Sequence, residues 1–475
     1  MISRASALGI GAALVLFGSA LLALAMADGA WRAGALALLL PVAGLLWLSV
    51  VYTRQRSGSQ SLRAMGRCWP AARFLWPGLA LGLFIRLALI GSPTLFEDDY
   101  LRYLWDGGVT AAGHNPYARS PASVLLEIHP ILPPLSGRAK PLSDEAQLGV
   151  RSGGVLENVS YPSVTTIYPP LAELGFAAAH ILSPWSLIGW RVVVLAAEGV
   201  CVALLIGALH TRGMSPLWAL GYWLCPIVIK EFSNGAHMDA LLMPALAGLC
   251  WAVLAGRLRL AAALVGVAAG LKLWPLLLVA GLVWRAPGWR ERGLLAAISL
   301  LSSAALLAPQ LLSLSPANSG LVAYAESWVR NSLAFPALLG ACNLLVPEAE
   351  AGGLARLAVA AITGGFALHW ARAAARGGAI ATIGAWRDTV LLLLLLSPTG
   401  YSWYATWLVP FFIFAPSLPS GLLVAFVGSY YARFADPAGA QGLVTVVLAP
   451  LIGFGPAWAA LITSAVQRQI TAFRP

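Results

Sequence analysis

The sequence predicts an all-α, polytopic membrane protein with about twelve to fourteen transmembrane helices. Hydrophobic residues make up 59% of the 475 positions and charged residues only 10%, whereas soluble domains carry roughly 25% charged residues. Mostly apolar segments, each long enough to span about 30 Å of hydrocarbon, recur at residues 8–26, 31–52, 74–90, 187–209, 237–255 and 442–462. Helices are the expected form because they satisfy their own backbone hydrogen bonds in lipid.

The net charge of +11 does not indicate a nucleic-acid partner, because most of the Arg lies in short loops where basic residues set topology. The five Cys, Cys68 among them, have neither metal nor disulfide spacing. The apolar run 8–26 follows Arg4 and ends in small residues. It is interpreted as a retained membrane anchor, with a cleaved signal sequence as the alternative.

The distribution of basic residues predicts the orientation of the whole chain, residues 1–475, as one transmembrane domain. The strongest basic cluster follows the second apolar run and is assigned to the cytoplasm: Arg54, Arg56, Arg63, Arg67 and Arg73. Residues 92–166 then form an extracytoplasmic loop with eight acidic and five basic residues. A loop this long among short connections is usually functional.

The apolar stretch 259–285 has Arg at both ends, which conflicts with a single crossing. A broken helical hairpin with its apex at residues 272–275 resolves the conflict, since Pro275 suits the first turn of a new helix. Lys272 then lies near the outer side of the membrane. A cation in so apolar a surround suggests a functional site that binds a lipid phosphate; the alternative is snorkelling toward headgroups.

The adjacent carboxylates Asp98 and Asp99 directly follow a predicted membrane helix. Because they repel one another, one of them could have a raised pKa and act as a base near neutral pH. The alternative is an N-capping pair at the start of helix 100–112. Arg102, less than one turn later, could hold a carboxylate or phosphate, or could pair with Asp98 or Asp106.

Two further segments carry candidate groups. His237 and Asp239 begin a predicted membrane helix just after Asn234, and a helix N-terminus attracts anions; the alternative is structural capping. Trp403 and Tyr404 could stack on sugar rings or belong to an interfacial aromatic belt. The sequence contains no Walker loop, dinucleotide fingerprint or Cys/His metal box, so neither a cofactor nor a metal site is predicted.

The segment 97–107, Glu-Asp-Asp-Tyr-Leu-Arg-Tyr-Leu-Trp-Asp-Gly, resembles the Asp-x-x-x-Tyr region of the GT-C superfamily of glycosyltransferases. It is most similar to bacterial polyprenol-phosphate-mannose-dependent mannosyltransferases. Further similar segments follow in the same order, at residues 113–117, 166–172, 234–241, 270–275 and 397–404. The chain departs from the family pattern at Ala236, where relatives read more like Gly-His-Asn-Asp.

The resemblance implies a GT-C-like bundle, located in the bacterial inner membrane, that performs an inverting sugar transfer on the extracytoplasmic face. The donor would be a polyprenyl-phosphate sugar, and the acceptor a glycan or glycolipid. Asp99 would be the general base, with Asp98 in reserve, and Lys272, His237 and Arg102 would bind the donor phosphate. The implied substrate-binding residues are Asp239, Asn234, Tyr168, Trp403 and Tyr404.

Two other functions compete with the transferase. A transporter or flippase of a lipid-linked glycan would also have many spans and broken helices, but it needs polar groups along a path to both faces. A purely structural scaffold would not explain why the chain carries Lys272 in an apolar stretch or the adjacent carboxylates Asp98 and Asp99. The long acidic loop and the gathering of polar groups on one side favour the transferase.

Overall fold

The computed structural model describes residues 4–58, 69–130, 141–313 and 319–472. Helix accounts for 78% of the structure and these ranges contain no strand, so the predicted all-α class is confirmed. Residues 131–140 of the predicted loop, together with Arg63, Arg67 and Cys68, lie outside the described residues.

The first half of the chain alternates long helices with short ones. Its α-helices are α1 (Arg4–Met26), α2 (Trp31–Gly58), α3 (Trp69–Leu89), α4 (Asp99–Ala111), α5 (Pro121–Ile128), α6 (Asp144–Arg151), α7 (Pro170–Leu182), α8 (Leu187–Thr211), α9 (Leu220–Trp223), α10 (Pro226–Val228) and α11 (Leu242–Leu254). The 3-10 turns are Leu156–Asn158, Pro216–Ala219 and Met238–Leu241, and a π-helix covers Ile229–Asn234.

The second half has the same character. Its α-helices are α12 (Leu258–Ala269), α13 (Val279–Arg285), α14 (Trp289–Leu312), α15 (Gly320–Ser327), α16 (Phe335–Asn343), α17 (Glu348–Ala374), α18 (Gly378–Leu396), α19 (Val409–Phe414), α20 (Leu418–Phe426) and α21 (Ala449–Ala472). The 3-10 segments are Trp274–Leu278, Ser402–Leu408, Val427–Ala435 and Gly439–Gln441, and a second π-helix covers Val444–Leu448.

Seven helices in the described ranges are long and apolar enough to cross a membrane, or eight if the bent pair Pro226–Asn234 and Met238–Leu254 is one span. They indicate a multi-pass membrane protein. The run predicted as a crossing at residues 74–90 forms a shorter apolar helix, Phe74–Leu89. Other shorter apolar helices are Pro170–Leu182, Leu258–Ala269, Trp274–Arg285 and Ser402–Phe414. The stretch 259–285 divides at residues 270–273, between α12 and the 3-10 turn that contains Pro275, where proline suits a first turn but not a helix interior.

Helix α4 carries the acidic pair at its N-terminal end and packs against α7. The two backbones approach so closely at Gly107 that a Cβ atom there would lie 2.5 Å from the carbonyl oxygen of Phe176. One turn earlier the Tyr103 ring stacks on Phe176 with 4.7 Å between ring centroids, and the indole of Trp190 in α8 meets both rings edge-on. This packing fixes the direction in which α4 presents its first residues.

Two buried arginines cross-link the helices around this end. Arg86 in α3 pairs with Glu198 in α8 at 2.5 Å, as the pairing of intramembrane charges requires. Arg191, also in α8, donates instead to backbone carbonyls, those of Leu89, Ile90 and Ser92 and that of Asn234. Arg191 therefore ties the end of α3 to the bend that follows the π-helix.

Candidate active site

A cavity of about 540 Å³ opens at the N-terminal end of α4. Its volume falls within the roughly 300–1,000 Å³ of small-molecule sites. Eight of the residues proposed from sequence line it: Asp98, Asp99, Arg102, Tyr168, Asp239, Lys272, Trp403 and Tyr404. Segments separated by up to about three hundred residues therefore meet at one site, and most of the lining groups are charged or aromatic.

Asp99 is the first residue of α4 and its side chain is 30% exposed. Burial raises the pKa of this carboxyl to about 7, and the neighbouring charge of Asp98 adds to the effect. The cations Lys272 and Arg102 oppose it. A carboxylate with such a pKa is half ionised near neutral pH, which suits a general base.

Asp98 has a different environment from its neighbour. It occupies the N-cap position of α4 but makes no side-chain capping bond, so the capping alternative does not describe it. The hydroxyl of Ser160 donates to its Oδ2 atom at 2.6 Å. The two carboxylates therefore differ in their partners, and it is Asp99 that lies against His237 and whose pKa burial raises to about 7.

Lys272 follows the end of α12, and its side chain is 17% exposed. Its ammonium lies 3.0 Å from Oδ1 of Asp239 and 4.4 Å from the centroid of the Tyr404 ring. The indole of Trp407 donates to the same Asp239 oxygen at 2.6 Å. Through Oδ1, Asp239 is therefore the counterion that keeps Lys272 at the cavity wall.

Arg102 is buried, and part of its guanidinium is committed to the protein. Nη2 donates to the carbonyl of Val164 at 2.7 Å, and Nε lies 3.6 Å from Oδ2 of Asp106. Within the described part of the chain, Nη1 has no hydrogen-bond partner. Arg102 therefore pairs with Asp106, one of the two alternatives from the sequence, and its side chain lines the cavity with one buried N–H donor left unused.

His237 does not line the cavity. It is fully buried, and its ring stacks on that of Trp403 with centroids 3.8 Å apart. Nδ1 lies 3.7 Å from Oδ2 of Asp99, and Nε2 lies 3.4 Å from Oε2 of Glu231. Because the indole covers its face, His237 is behind the base and is not available to a donor phosphate.

Asn234, which the resemblance places among the substrate-binding residues, does not line the cavity either. Its side chain is fully buried. Its amide oxygen accepts from the backbone N–H of Leu95 at 3.0 Å, and its amide nitrogen donates to the carbonyl of Pro93 and the hydroxyl of Ser92. The side-chain hydrogen bonds of Asn234 all go to the loop that precedes the acidic pair, so its role is to hold that loop in shape.

Aromatic rings form one wall of the cavity, held by the 3-10 segment Ser402–Leu408. Tyr401 stacks on Trp403 with 4.4 Å between centroids, and the hydroxyl of Tyr404 lies 3.0 Å from that of Tyr324. Tyr168 meets Tyr103 edge-on. Trp403 is buried and Tyr401 partly exposed, so of these two stacked rings Tyr401 is the more available to a sugar.

Sequence reasoning missed several groups at or behind this wall. The unforeseen lining residues include Glu97, Tyr161, Tyr324, Trp328, Arg330, Tyr401, Tyr430 and Arg433. Lys230 and Glu231 lie deeper and are fully buried. The sequence does carry a signal for Lys230 and Glu231, because two adjacent charged residues within an apolar run are rare in membrane segments and usually functional.

No group of three or more His, Cys, Asp and Glu side chains within the described ranges is arranged to hold a metal ion.

Comparisons with protein-family models, curated proteins and solved structures gave no match.

Proposed function

We propose that this chain is a membrane glycosyltransferase of the GT-C type, with about twelve to fourteen crossings. It transfers a hexose such as mannose, with inversion, from a polyprenyl-phosphate donor to a glycan or glycolipid. The reaction takes place on the extracytoplasmic face of a bacterial plasma membrane. One observation carries the proposal: a carboxylate with a pKa near neutrality and a lysine ammonium line the same cavity in a protein with several spanning-length helices.

The proposed reaction is a single displacement. Asp99 removes the proton from the acceptor hydroxyl as that oxygen forms a bond to the anomeric carbon of the sugar. The bond from this carbon to the phosphate oxygen breaks, and its electron pair stays on the phosphate. Lys272 and the free donor of Arg102 stabilise the negative charge that develops there. The products are the glycosylated acceptor, a polyprenyl phosphate and a protonated Asp99.

The cavity is lined by both cationic and aromatic side chains, which supports separate binding of the donor phosphate and the sugar ring. The cations can hold the anionic headgroup of a donor lipid, and the exposed face of Tyr401 offers a platform for a sugar ring. A nucleotide-sugar donor is not proposed, because such donors are cytoplasmic and the chain has no nucleotide-binding motif.

The 110° bend between Pro226–Asn234 and Met238–Leu254 favours transport of a lipid-linked glycan as a second candidate, because discontinuous helices are common in transporters. Transport requires polar groups along a path between the two membrane faces. The charged residues at this bend are instead buried behind the cavity that Asp99 lines, which makes the transferase the better candidate.

The test compares the purified wild type with Asp99→Asn in lipid nanodiscs, using a panel of polyprenyl-phosphate sugars and membrane-derived acceptors. We expect Asp99→Asn to lower the transfer rate by about 10²- to 10⁴-fold, the contribution of a general base. Asp144→Asn is the matched control, because this carboxylate is exposed at the start of α6 and lies outside the cavity. A wild-type rate in Asp99→Asn would remove Asp99 from the mechanism. Movement of labelled glycolipid across vesicles without transfer would favour the transporter.

A further inference from the structure

A cluster of fully buried polar side chains lies directly behind Asp99. It consists of Lys230, Glu231, His237 and Tyr431. Burying a charge is costly unless it is paired, and a core of apolar side chains would serve structure without that cost. A cluster of this composition next to a candidate base therefore indicates a function beyond packing.

Hydrogen bonds hold Glu231 on two sides. The hydroxyl of Tyr431 donates to its carboxylate at 2.9 Å, and the ammonium of Lys230 donates to Oε2 at 3.3 Å. Lys230 also donates to the oxygen of Tyr431, so the three groups form a closed triangle. The carboxylate is neutralised by Lys230 and has little freedom to turn.

The backbone places Glu231 and His237 against each other. The π-helix Ile229–Asn234 leads into a tight bend, where Ala236 has a φ of +56°. The N–H of His237 donates to the carbonyl of Glu231 at 3.0 Å, and the indole of Trp190 donates to the carbonyl of Ala236. π-Helical turns of this kind occur frequently at functional sites.

The imidazole of His237 therefore stands between two carboxylates, with Nδ1 facing Asp99 and Nε2 facing Glu231. Neither nitrogen has a hydrogen-bond partner among the described residues. Catalytic hydrogen bonds are often long in the absence of substrate and tighten in the reacting complex. The geometry is that of a histidine whose outer partner selects which nitrogen carries the proton.

The geometry points to Glu231 as a positioning residue that acts through His237 on the carboxyl group of Asp99. This inference rests on the proposed function, in which Asp99 is the base. Glu231 keeps the proton of the neutral imidazole on Nε2, so the lone pair of Nδ1 faces Asp99.

The proton balance of this arrangement is simple. Once Asp99 has taken the proton of the acceptor hydroxyl, its new O–H donates a hydrogen bond to the lone pair of Nδ1, and the imidazole stays neutral. After the product leaves, Asp99 releases this proton to water in the cavity and is ionised again.

Other charges act on the same two groups. The charges that influence Asp99 are those of Asp98, Asp239, Arg102 and Lys272. Those near His237 are Asp99, Glu231, Lys230 and Lys272. Of these groups, Asp99 lies near Nδ1 and Glu231 near Nε2, so the two carboxylates compete for the imidazole proton and removal of the Glu231 charge should shift the tautomer ratio toward Nδ1–H.

The test is magic-angle-spinning NMR of ¹⁵N-histidine-labelled full-length protein in lipid, with the His237 signals assigned by their loss in His237→Asn. We expect the Nε2–H tautomer to dominate in the wild type and to lose its preference in Glu231→Gln. Tyr431→Phe keeps the charges of Lys230 and Glu231, so it is less prone to misfold than Glu231→Gln. Because it removes a hydrogen bond that orients the Glu231 carboxylate, it should shift the tautomer ratio in the same direction. Glu198→Gln is the matched control, because it removes a buried, cation-paired carboxylate elsewhere, and its His237 signals should match the wild type.

Kinetics supply the second measurement. We expect Glu231→Gln to lower kcat by about 10- to 100-fold, the usual effect of an outer partner of a functional histidine. KM should not change, since Glu231 does not line the cavity. An unaltered tautomer ratio in both variants, or an altered ratio with an unaltered kcat, would overturn the inference. Absence of transfer by the wild type with every donor would instead sink the proposed function, and the NMR result would still stand.

Discussion

Asp98 and Asp99 are neighbours in sequence but differ in their surroundings. Asp98 is exposed and accepts from Ser160, whereas Asp99 faces the cavity with His237 behind it and the Lys272 charge nearby. The rise in the pKa of Asp99 comes first from burial, a cause that the sequence of an acidic pair does not reveal.

The pH dependence of transfer follows from the pKa of Asp99, which burial raises to about 7. A general base works in its ionised form, so activity should rise with pH, reach half its maximum near this value and level off above it. Measuring kcat/KM between about pH 5 and 9 checks this, because free-enzyme groups govern that parameter. A flat profile across neutrality would contradict the assignment of Asp99 as the base.

At this scale, the sequence singles out Lys272 because its charge stands alone in an apolar context, and Asp99 because it follows a predicted helix. The structure places both residues at the cavity. The resemblance assigned His237 to the donor phosphate. Its neighbours in the structure, Trp403 and Glu231, meet it only through tertiary packing, which the local sequence does not show. No local pattern indicates that an indole about 170 residues away covers an imidazole ring.

At the level of elements, the packing of α4 against α7 sets the position of the base. Gly107 permits the close approach of the two backbones. The sequence predicts a helix over residues 100–112, close to the observed α4, but it gives no sign that Gly107 is the contact point.

Gly107→Ala should disturb this packing, because the added Cβ would lie 2.5 Å from the Phe176 carbonyl oxygen, a backbone atom that cannot move aside alone. We expect a loss of about 1–3 kcal/mol in stability, as for overpacking, together with lower transfer activity. Thermal unfolding in detergent and the transfer assay measure both.

The matched control is Gly199→Ala in α8. No described atom outside its own helix backbone and chain neighbours lies within 4 Å of a Cβ at that site, so this change should be neutral or slightly stabilising. Equal unfolding temperatures for the two variants would contradict the proposed packing role of Gly107.

Helix breaks were only partly predictable. The division of 259–285 near Pro275 follows from proline chemistry and the flanking Arg. The π-helix Ile229–Asn234 does not follow, because one extra residue in a turn leaves no clear trace in hydrophobic periodicity.

For the whole molecule, composition alone predicted an all-α protein with many apolar helices, since few other structures bury such runs in lipid. Within the described ranges, the seven or eight helices of spanning length are fewer than the predicted crossings, and other apolar runs form helices of 10–17 residues. The gathering of the expected groups into one cavity could be proposed from the ordered motifs. Its depth, and the buried cluster behind it, could not.

The proposed orientation can be tested by cysteine labelling in intact cells. We expect Glu157→Cys, in the loop 92–166, to react with a membrane-impermeant maleimide, and Arg212→Cys, at the end of α8, to react only after permeabilisation. Both positions are exposed, and the four cysteines in the described ranges are buried; Cys68→Ser removes the fifth. Labelling of Arg212→Cys in intact cells would reverse the assignment.

The pair formed by Arg86 and Glu198 also bears on how the protein is made. The two residues are 112 positions apart, so α3 is synthesised well before its counterion exists. An unpaired arginine is costly in hydrocarbon. We therefore expect α3 to remain beside the translocon or at the headgroup level until α8 emerges, and the two helices to enter the lipid phase as a unit during biogenesis.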